Sequence, residues 1–262
     1  LDLFVPNYVQ WTRELDISNN YTLNGTDRAY GPPKLYAGTQ PELYRNDGTG
    51  RFEDVSEASG IHVVNPYDGY PVGKSLAVIP IDLDRDGWMD LISLNDFGRT
   101  IAYRNDGGKR FAEETRPLHL DTVYNAMNFH LIDLEHSGHP AVYVTEISKL
   151  THRVRYPKPT QGTKINFDHL DNMRALVVNK LLRRAPNGAF ENVHAIHIEP
   201  AQLGWAWDAS TFDYENDGDL DLLVLNGTEG ESPTSTTGQK EFVESHEFLT
   251  KHAGQNNVCS VS

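Results

Sequence analysis

The feature that most constrains this chain is that it repeats itself. Leu43–Val55 reads Leu-Tyr-Arg-Asn-Asp-Gly-Thr-Gly-Arg-Phe-Glu-Asp-Val, and Ala102–Glu114 returns as Ala-Tyr-Arg-Asn-Asp-Gly-Gly-Lys-Arg-Phe-Ala-Glu-Glu. A worn third copy runs from Leu181 through Arg183, Asn187, Gly188 and Phe190 to Val193. Each copy reads as a strand, a tight Asn/Asp-Gly turn and a strand resuming at an aromatic residue, which is a hairpin signature. A second segment precedes the hairpin: Ile81–Ile92 carries Asp-Leu-Asp-Arg-Asp-Gly between apolar flanks, and Phe212–Leu223 carries Asp-Tyr-Glu-Asn-Asp-Gly. Ile132–Tyr143 is a degenerate relative, and Leu1–Val5 matches the tail of the same unit. The order is therefore strand, acidic loop, strand, hairpin, strand.

Four short strands in series predict sheets that bury their faces only by stacking on neighbours, as propeller blades do. The expected fold is all-β: a β-propeller of four-stranded blades forming a single region over residues 1–262. Its approximate units are 1–71, 72–119, 120–200 and 201–262. Loops beginning at Asp82, Asp133 and Asp213 are 51 and then 80 residues apart. Insertions over residues 8–40, 148–178 and 227–262 account for that uneven period. Within them, Asp168–Leu182 and Lys240–Lys251 read as short helices. The opening on a mid-strand pattern, without an initiator Met, predicts a longer chain of which this is a portion.

The acidic loop has the pattern of a metal site. Asp82, Asp84, Asp86 and Asp90 fall at positions 1, 3, 5 and 9, with Gly87 at position 6. Alternate residues of a tightly wound loop point inward, so three carboxylates converge while the Gly relieves the turn. The Trp88 carbonyl at position 7 and Asp90 complete an oxygen set that suits Ca²⁺ better than Mg²⁺. The second copy offers Asp213, Glu215, Asp217, the Asp219 carbonyl and Asp221; the longer Glu215 predicts a looser site. Two calcium sites are thus expected. The third loop keeps Asp133 and Glu135, but Ser137 and Ala141 replace the remaining acids, so it is a weak candidate. An EF-hand is excluded, because position 12 is Ser93 or Val224 rather than Glu and the flanks read as strands.

Composition narrows the partners. The 37 acidic and 23 basic residues give a net charge of −14, which argues against nucleic acid. No apolar run is long enough for a transmembrane helix. The lone Cys259 excludes an internal disulfide framework and a Cys-rich zinc site. The pairs His136/His139 and His194/His197 lie in segments that read as loop and strand, where a three-residue spacing does not align ligands. Trp205 and Trp207 read as blade-core residues. One segment runs against the overall charge: Lys149, Arg153, Arg155, Lys158 and Lys164 occur with no acid between 149 and 164. It reads either as a solvated loop or as a docking arm for an acidic partner or anionic headgroups. The sequons at Asn20, Asn24 and Asn226 bear on a eukaryotic secretory host only.

Taken together, these motifs resemble the FG-GAP/VCBS repeat family, whose blades carry such calcium loops in integrin-α-type propellers. More closely the chain resembles bacterial proteins related to cartilage acidic protein, with UnbV-type domains. The matching residues are Leu3-Phe4-Val5-Pro6-Asn7-Tyr8-Val9, the Tyr-Arg-Asn-Asp-Gly hairpins, Phe52-Glu53-Asp54-Val55 and Leu203-Gly204-Trp205 before Asp213. The family's metal ligands fall on the residues chosen above. Ala29-Tyr30-Gly31-Pro32 departs from the pattern by lacking the cysteine that often precedes Gly-Pro in relatives. The expected function is that of an extracytoplasmic calcium-binding propeller acting as a protein-interaction or scaffolding module, and not an enzyme, since the residues offer no acid/base pair beyond the metal ligands. Alternatives are an accessory subunit of a membrane-associated complex and a carbohydrate-active lyase or hydrolase on the same scaffold.

Overall fold

The computed structural model describes residues 1–22, 25–133, 140–146, 179–193, 206–218, 220–226 and 258–261. They fall into two compact units, one holding Leu1–Tyr124 and the other the described residues from Asn125 on. The first unit contains a three-stranded sheet, β1 (Leu3–Val5), β2 (Glu42–Asn46) and β3 (Phe52–Asp54), in that order. Its second sheet is a four-stranded meander of β4 (Ser75–Ile81), β5 (Asp90–Asn95), β6 (Ile101–Asn105) and β7 (Phe111–Glu113). The second unit repeats the meander with β8 (Ala126–Ile132), β9 (Ala141–Glu146), β10 (Lys180–Arg184) and β11 (Phe190–Asn192). It ends with β12 (Ala206–Phe212), β13 (Asp221–Asn226) and β14 (Val258–Val261).

This is the strand, loop, strand, hairpin, strand order expected from the repeat. The fold is mostly β, and the described pairings are antiparallel except that of β14 with β13. That parallel edge differs from the meander of the other sheets. The expected helix over Asp168–Leu182 is corrected at its end, where β10 begins at Lys180 and pairs with β9. The rest of that segment, the expected Lys240–Lys251 helix and most of the two later insertions lie outside the described residues. Closure into a propeller ring is not among the features of the described residues.

The hairpins are built alike because their turns are. Asp47 N–H donates to Arg51 O (3.0 Å), Asp106 N–H to Arg110 O (2.8 Å) and Ala185 N–H to Ala189 O (2.8 Å). Past each turn the returning strand is stitched again, by Val55 to Leu43 O, Glu114 to Ala102 O and Val193 to Leu181 O. The sheets then bury their faces against one another. Ile61, Leu91, Ile101 and Tyr103 form a buried cluster in the first unit, with Phe4 and Leu43 of the neighbouring sheet packed on it. In the second unit Ile132, Tyr143 and Leu181 pack with Ala209, Leu222 and Val224. Both β5 and β9 are buried along their whole length, as a strand covered on both faces must be.

Three sheets share a bulge that the sequence did not announce. Register slips between Ser75 and Ala77, between Ala126 and Asn128, and between Ala206 and Asp208. In β12 the extra residue is Trp207, whose carbonyl accepts the Thr145 hydroxyl at 3.3 Å. Trp207 is 49% exposed, which corrects its expected place in the core. Trp205 lies outside the described residues.

The described residues of the 8–40 insertion are held by specific contacts. Helix α1 (Arg13–Asn19) is capped by Thr12, whose Oγ1 accepts from Leu15 N–H at 3.1 Å, and ends at Asn20 in a left-handed conformation. Buried Asp16 accepts the Tyr36 hydroxyl at 2.6 Å and pairs with Arg28. Tyr8 donates its hydroxyl to Asp96 Oδ2 at 2.5 Å, and Lys74 Nζ donates to Pro33 O at 3.0 Å. Burial raises Asp96 from the ordinary 3.8 to about 6, and burial lowers Lys74 from 10.5 to about 8. Because folding raises the Asp96 value, the native chain holds more protons than the unfolded one between about pH 4 and 6, so this group's contribution falls as pH rises through that window. Asp96→Asn is therefore expected to gain on the wild type by up to about 3 kcal/mol between pH 4 and 6 in denaturant titrations. A stability difference that is flat across that range would refute the assignment.

Candidate metal centre

The loop between β4 and β5 winds back on itself through two left-handed residues, Arg85 (φ 64°) and Gly87 (φ 88°). The loop between β12 and β13 does the same at the same positions, Asn216 (φ 60°) and Gly218 (φ 97°). Position 6 tolerates this best as Gly, and position 4 uses Asn in one copy. Each loop is closed by its first acid: Asp82 Oδ2 accepts Gly87 N–H at 3.0 Å, and Asp213 Oδ2 accepts Gly218 N–H at 2.9 Å. Two sequences that share only part of their side chains thus adopt one backbone form.

In the first loop the carboxylates converge. Ligand oxygens of Asp82, Asp84 and Asp86 all lie within 4.8 Å of one another. Asp84 Oδ1 accepts Asp86 N–H (3.3 Å) and Asp86 Oδ1 accepts Trp88 N–H (2.8 Å), which aims the side chains. Asp82 Oδ1 is buried and has no hydrogen-bond partner. An anionic oxygen removed from water without a donor is costly, and a cation among three carboxylates is the group that relieves it. The donor set consists of hard oxygens, which fits Ca²⁺ or Mg²⁺ rather than a soft transition metal.

Asp90 occupies a different place in this geometry. It is fully buried, and its oxygens are engaged by backbone: Oδ2 by Leu83 N–H and Oδ1 by Asn105 N–H, each at 2.7 Å. Burial raises its carboxyl above the ordinary range; the two N–H donors oppose that rise, while Asp84 and Asp86 add to it. Asp90 therefore ties the loop to β6. The same tie recurs elsewhere, where Asp221 Oδ2 accepts Tyr214 N–H at 2.7 Å and Asp2 Oδ1 accepts Asn46 N–H at 2.9 Å. The sequence marked Asp90 and Asp221 only as ligands, and Asp2 not at all. The signal was present in the alignment of Leu1–Val5 with the tail of the repeat. Trp88 adds a second link, because its ring lies where a side chain at Gly108 of the hairpin would sit, 2.5 Å from an added Cβ.

The second loop is arranged less tightly. The Glu215 carboxyl is raised above its ordinary value by desolvation first and then by the neighbouring negative charges of Asp221 and Asp217. Among the described residues, only Asp82, Asp84 and Asp86 form a convergent group of three. Asp219 and Glu135 lie outside the described residues, as do Lys149, Arg153, Arg155, Lys158 and Lys164. Asp133 is described, half-buried at the end of β8. Among the described residues no helix is long and apolar enough to cross a membrane.

The double tie at Asp90 predicts that Asp90→Ala costs about 2–4 kcal/mol of stability in EDTA as well as in calcium, because two buried N–H groups lose their acceptor. A loss confined to calcium-containing buffer would contradict this role. Among curated proteins none matches this chain. Residues 82–144, which begin at the first acidic loop and end within β9, match the FG-GAP-like repeat.

Proposed function

We propose that this chain is a calcium-binding part of an extracytoplasmic β-propeller of the cartilage-acidic-protein and UnbV type, serving as a protein-interaction or scaffolding module. The single observation carrying this reading is the buried, unpartnered Oδ1 of Asp82 among the carboxylates of Asp84 and Asp86. The match of residues 82–144 to an FG-GAP-like repeat supports it. Asp82, Asp84 and Asp86 would hold the ion, with the Trp88 carbonyl and Asp90 closing the set. Asp213, Glu215, Asp217, Asp219 and Asp221 would form the second site. Bound Ca²⁺ supplies electrostatic cross-linking and no reaction chemistry here. The chain's own residues fix the loop: Asp82 closes it onto Gly87, and Asp90 anchors it to β5 and β6.

Ring closure would follow the same logic, since four-stranded blades bury their faces on neighbouring blades. Sites of this kind in extracellular modules bind with Kd on the order of 10⁻⁴ to 10⁻³ M, so they fill only where calcium is abundant. Such a range is compatible with the extracytoplasmic role proposed here. Long insertions would make the specific contacts with a partner.

Calorimetric unfolding in saturating Ca²⁺, in Mg²⁺ and in EDTA tests the metal reading. Ca²⁺ at about 100 times Kd should raise Tm by roughly 5–10 °C over EDTA, with little effect from Mg²⁺. Equal Tm values in Ca²⁺ and EDTA would refute it. Release of sugar products from a polysaccharide, abolished by Asp82→Asn, would instead overturn the non-catalytic part.

A further inference from the structure

Each of the three hairpins carries an arginine at the same position of its first strand, and the three do not behave alike. Arg45 faces Glu53 across the sheet and bonds it at 2.6 Å. Arg183 faces Glu191 and bonds it at 2.8 Å. Arg104 faces Ala112, so the acid that holds the other two is missing. Its guanidinium goes elsewhere: Nε donates to Glu114 at 2.8 Å, and a terminal nitrogen lies 3.4 Å from Asp84 Oδ2. Through the replacement of Glu by Ala at one cross-strand position, the hairpin arginine reaches the acidic loop.

We propose that Arg104 is a resident counter-ion of the loop, which steadies Asp84 among its like-charged neighbours and competes with a divalent cation for that carboxylate. The proposal rests on the calcium reading above and adds what sets the affinity of the first site. Three carboxylates within 4.8 Å repel one another, and one guanidinium beside Asp84 offsets part of that repulsion. The same positive charge opposes an arriving Ca²⁺. By Coulomb's law a guanidinium roughly 6 Å from a doubly charged ion in water would weaken its binding about tenfold at low salt, and less at physiological ionic strength. Glu114 is the second resting place that lets Arg104 release Asp84 without losing its ion pair.

Two variants of the full chain separate this role from plain structural support. Arg104→Gln removes the charge. Ala112→Glu keeps it but restores the cross-strand acid seen at Glu53 and Glu191, drawing Arg104 off the loop. Calcium affinity is read by calorimetric titration, and the first loop is read separately by Tb³⁺ luminescence sensitised through Trp88. Both variants should bind about three- to tenfold more tightly than the wild type, with the gap narrowing as salt rises. In EDTA, Arg104→Gln should melt below the wild type. Unchanged affinity in both variants, with a wild type that binds Ca²⁺, would overturn the role of Arg104 and leave the calcium site standing. A wild type that binds neither Ca²⁺ nor Tb³⁺ would overturn both.

Discussion

The acidic loop depends on one buried carboxylate. Asp90 sits at the first residue of a fully buried strand and accepts one N–H from the loop and one from the adjacent hairpin strand. Burying a charge costs free energy, and two charge-assisted hydrogen bonds offset part of that cost. The consequence is geometric: loop, central strand and hairpin are held at one point, so the carboxylates of Asp82, Asp84 and Asp86 are presented by a fixed frame. The third unit shows what does not depend on this tie. Ala141 stands where Asp90 would, yet β8 and β9 still pair along their length, including the shared bulge. The aspartate organises the loop, while apolar stacking organises the sheet.

Much of this was legible in the chain. The Asn-Asp-Gly turns of the first two hairpins and the Asn-Gly turn of the third carry their own backbone instructions, so the hairpins of residues 43–55, 102–114 and 181–193 are found where the repeat placed them. The left-handed turn at Gly87 and Gly218 is equally local, since it follows from glycine at a fixed offset from an acid. What the sequence hid is set by register and by distance along the chain. The bulge at Trp207 turns on one extra residue in the register, and nothing in the side-chain pattern of Ala206–Phe212 reports it. Buried Lys74 and Asp96 are hydrogen-bonded by Pro33 and Tyr8, residues of a stretch that lacks any strand pattern. Arg104 became notable only once the register set it opposite Ala112.

The two acidic loops share a backbone and differ in what they present. Asp84 is short and lies within a convergent group of three, whereas Glu215 is one methylene longer and no such group forms among the described residues of its loop. The first loop is thus the better-formed centre. Its surroundings supply both a buried acid, Asp90, bonded to the backbone of the loop and of β6, and a cation, Arg104, beside Asp84.

The central claim is that a divalent cation sits against the buried oxygen of Asp82. The most direct measurement is an anomalous-difference map from crystals soaked in Mn²⁺ or Tb³⁺ and compared with a Ca²⁺-grown crystal. The account predicts a peak among Asp82, Asp84 and Asp86, with Ca²⁺ about 2.3–2.6 Å from Asp82 Oδ1. Density absent from that loop at millimolar cation, with the Asp90 bonds to Leu83 and Asn105 intact, would contradict it.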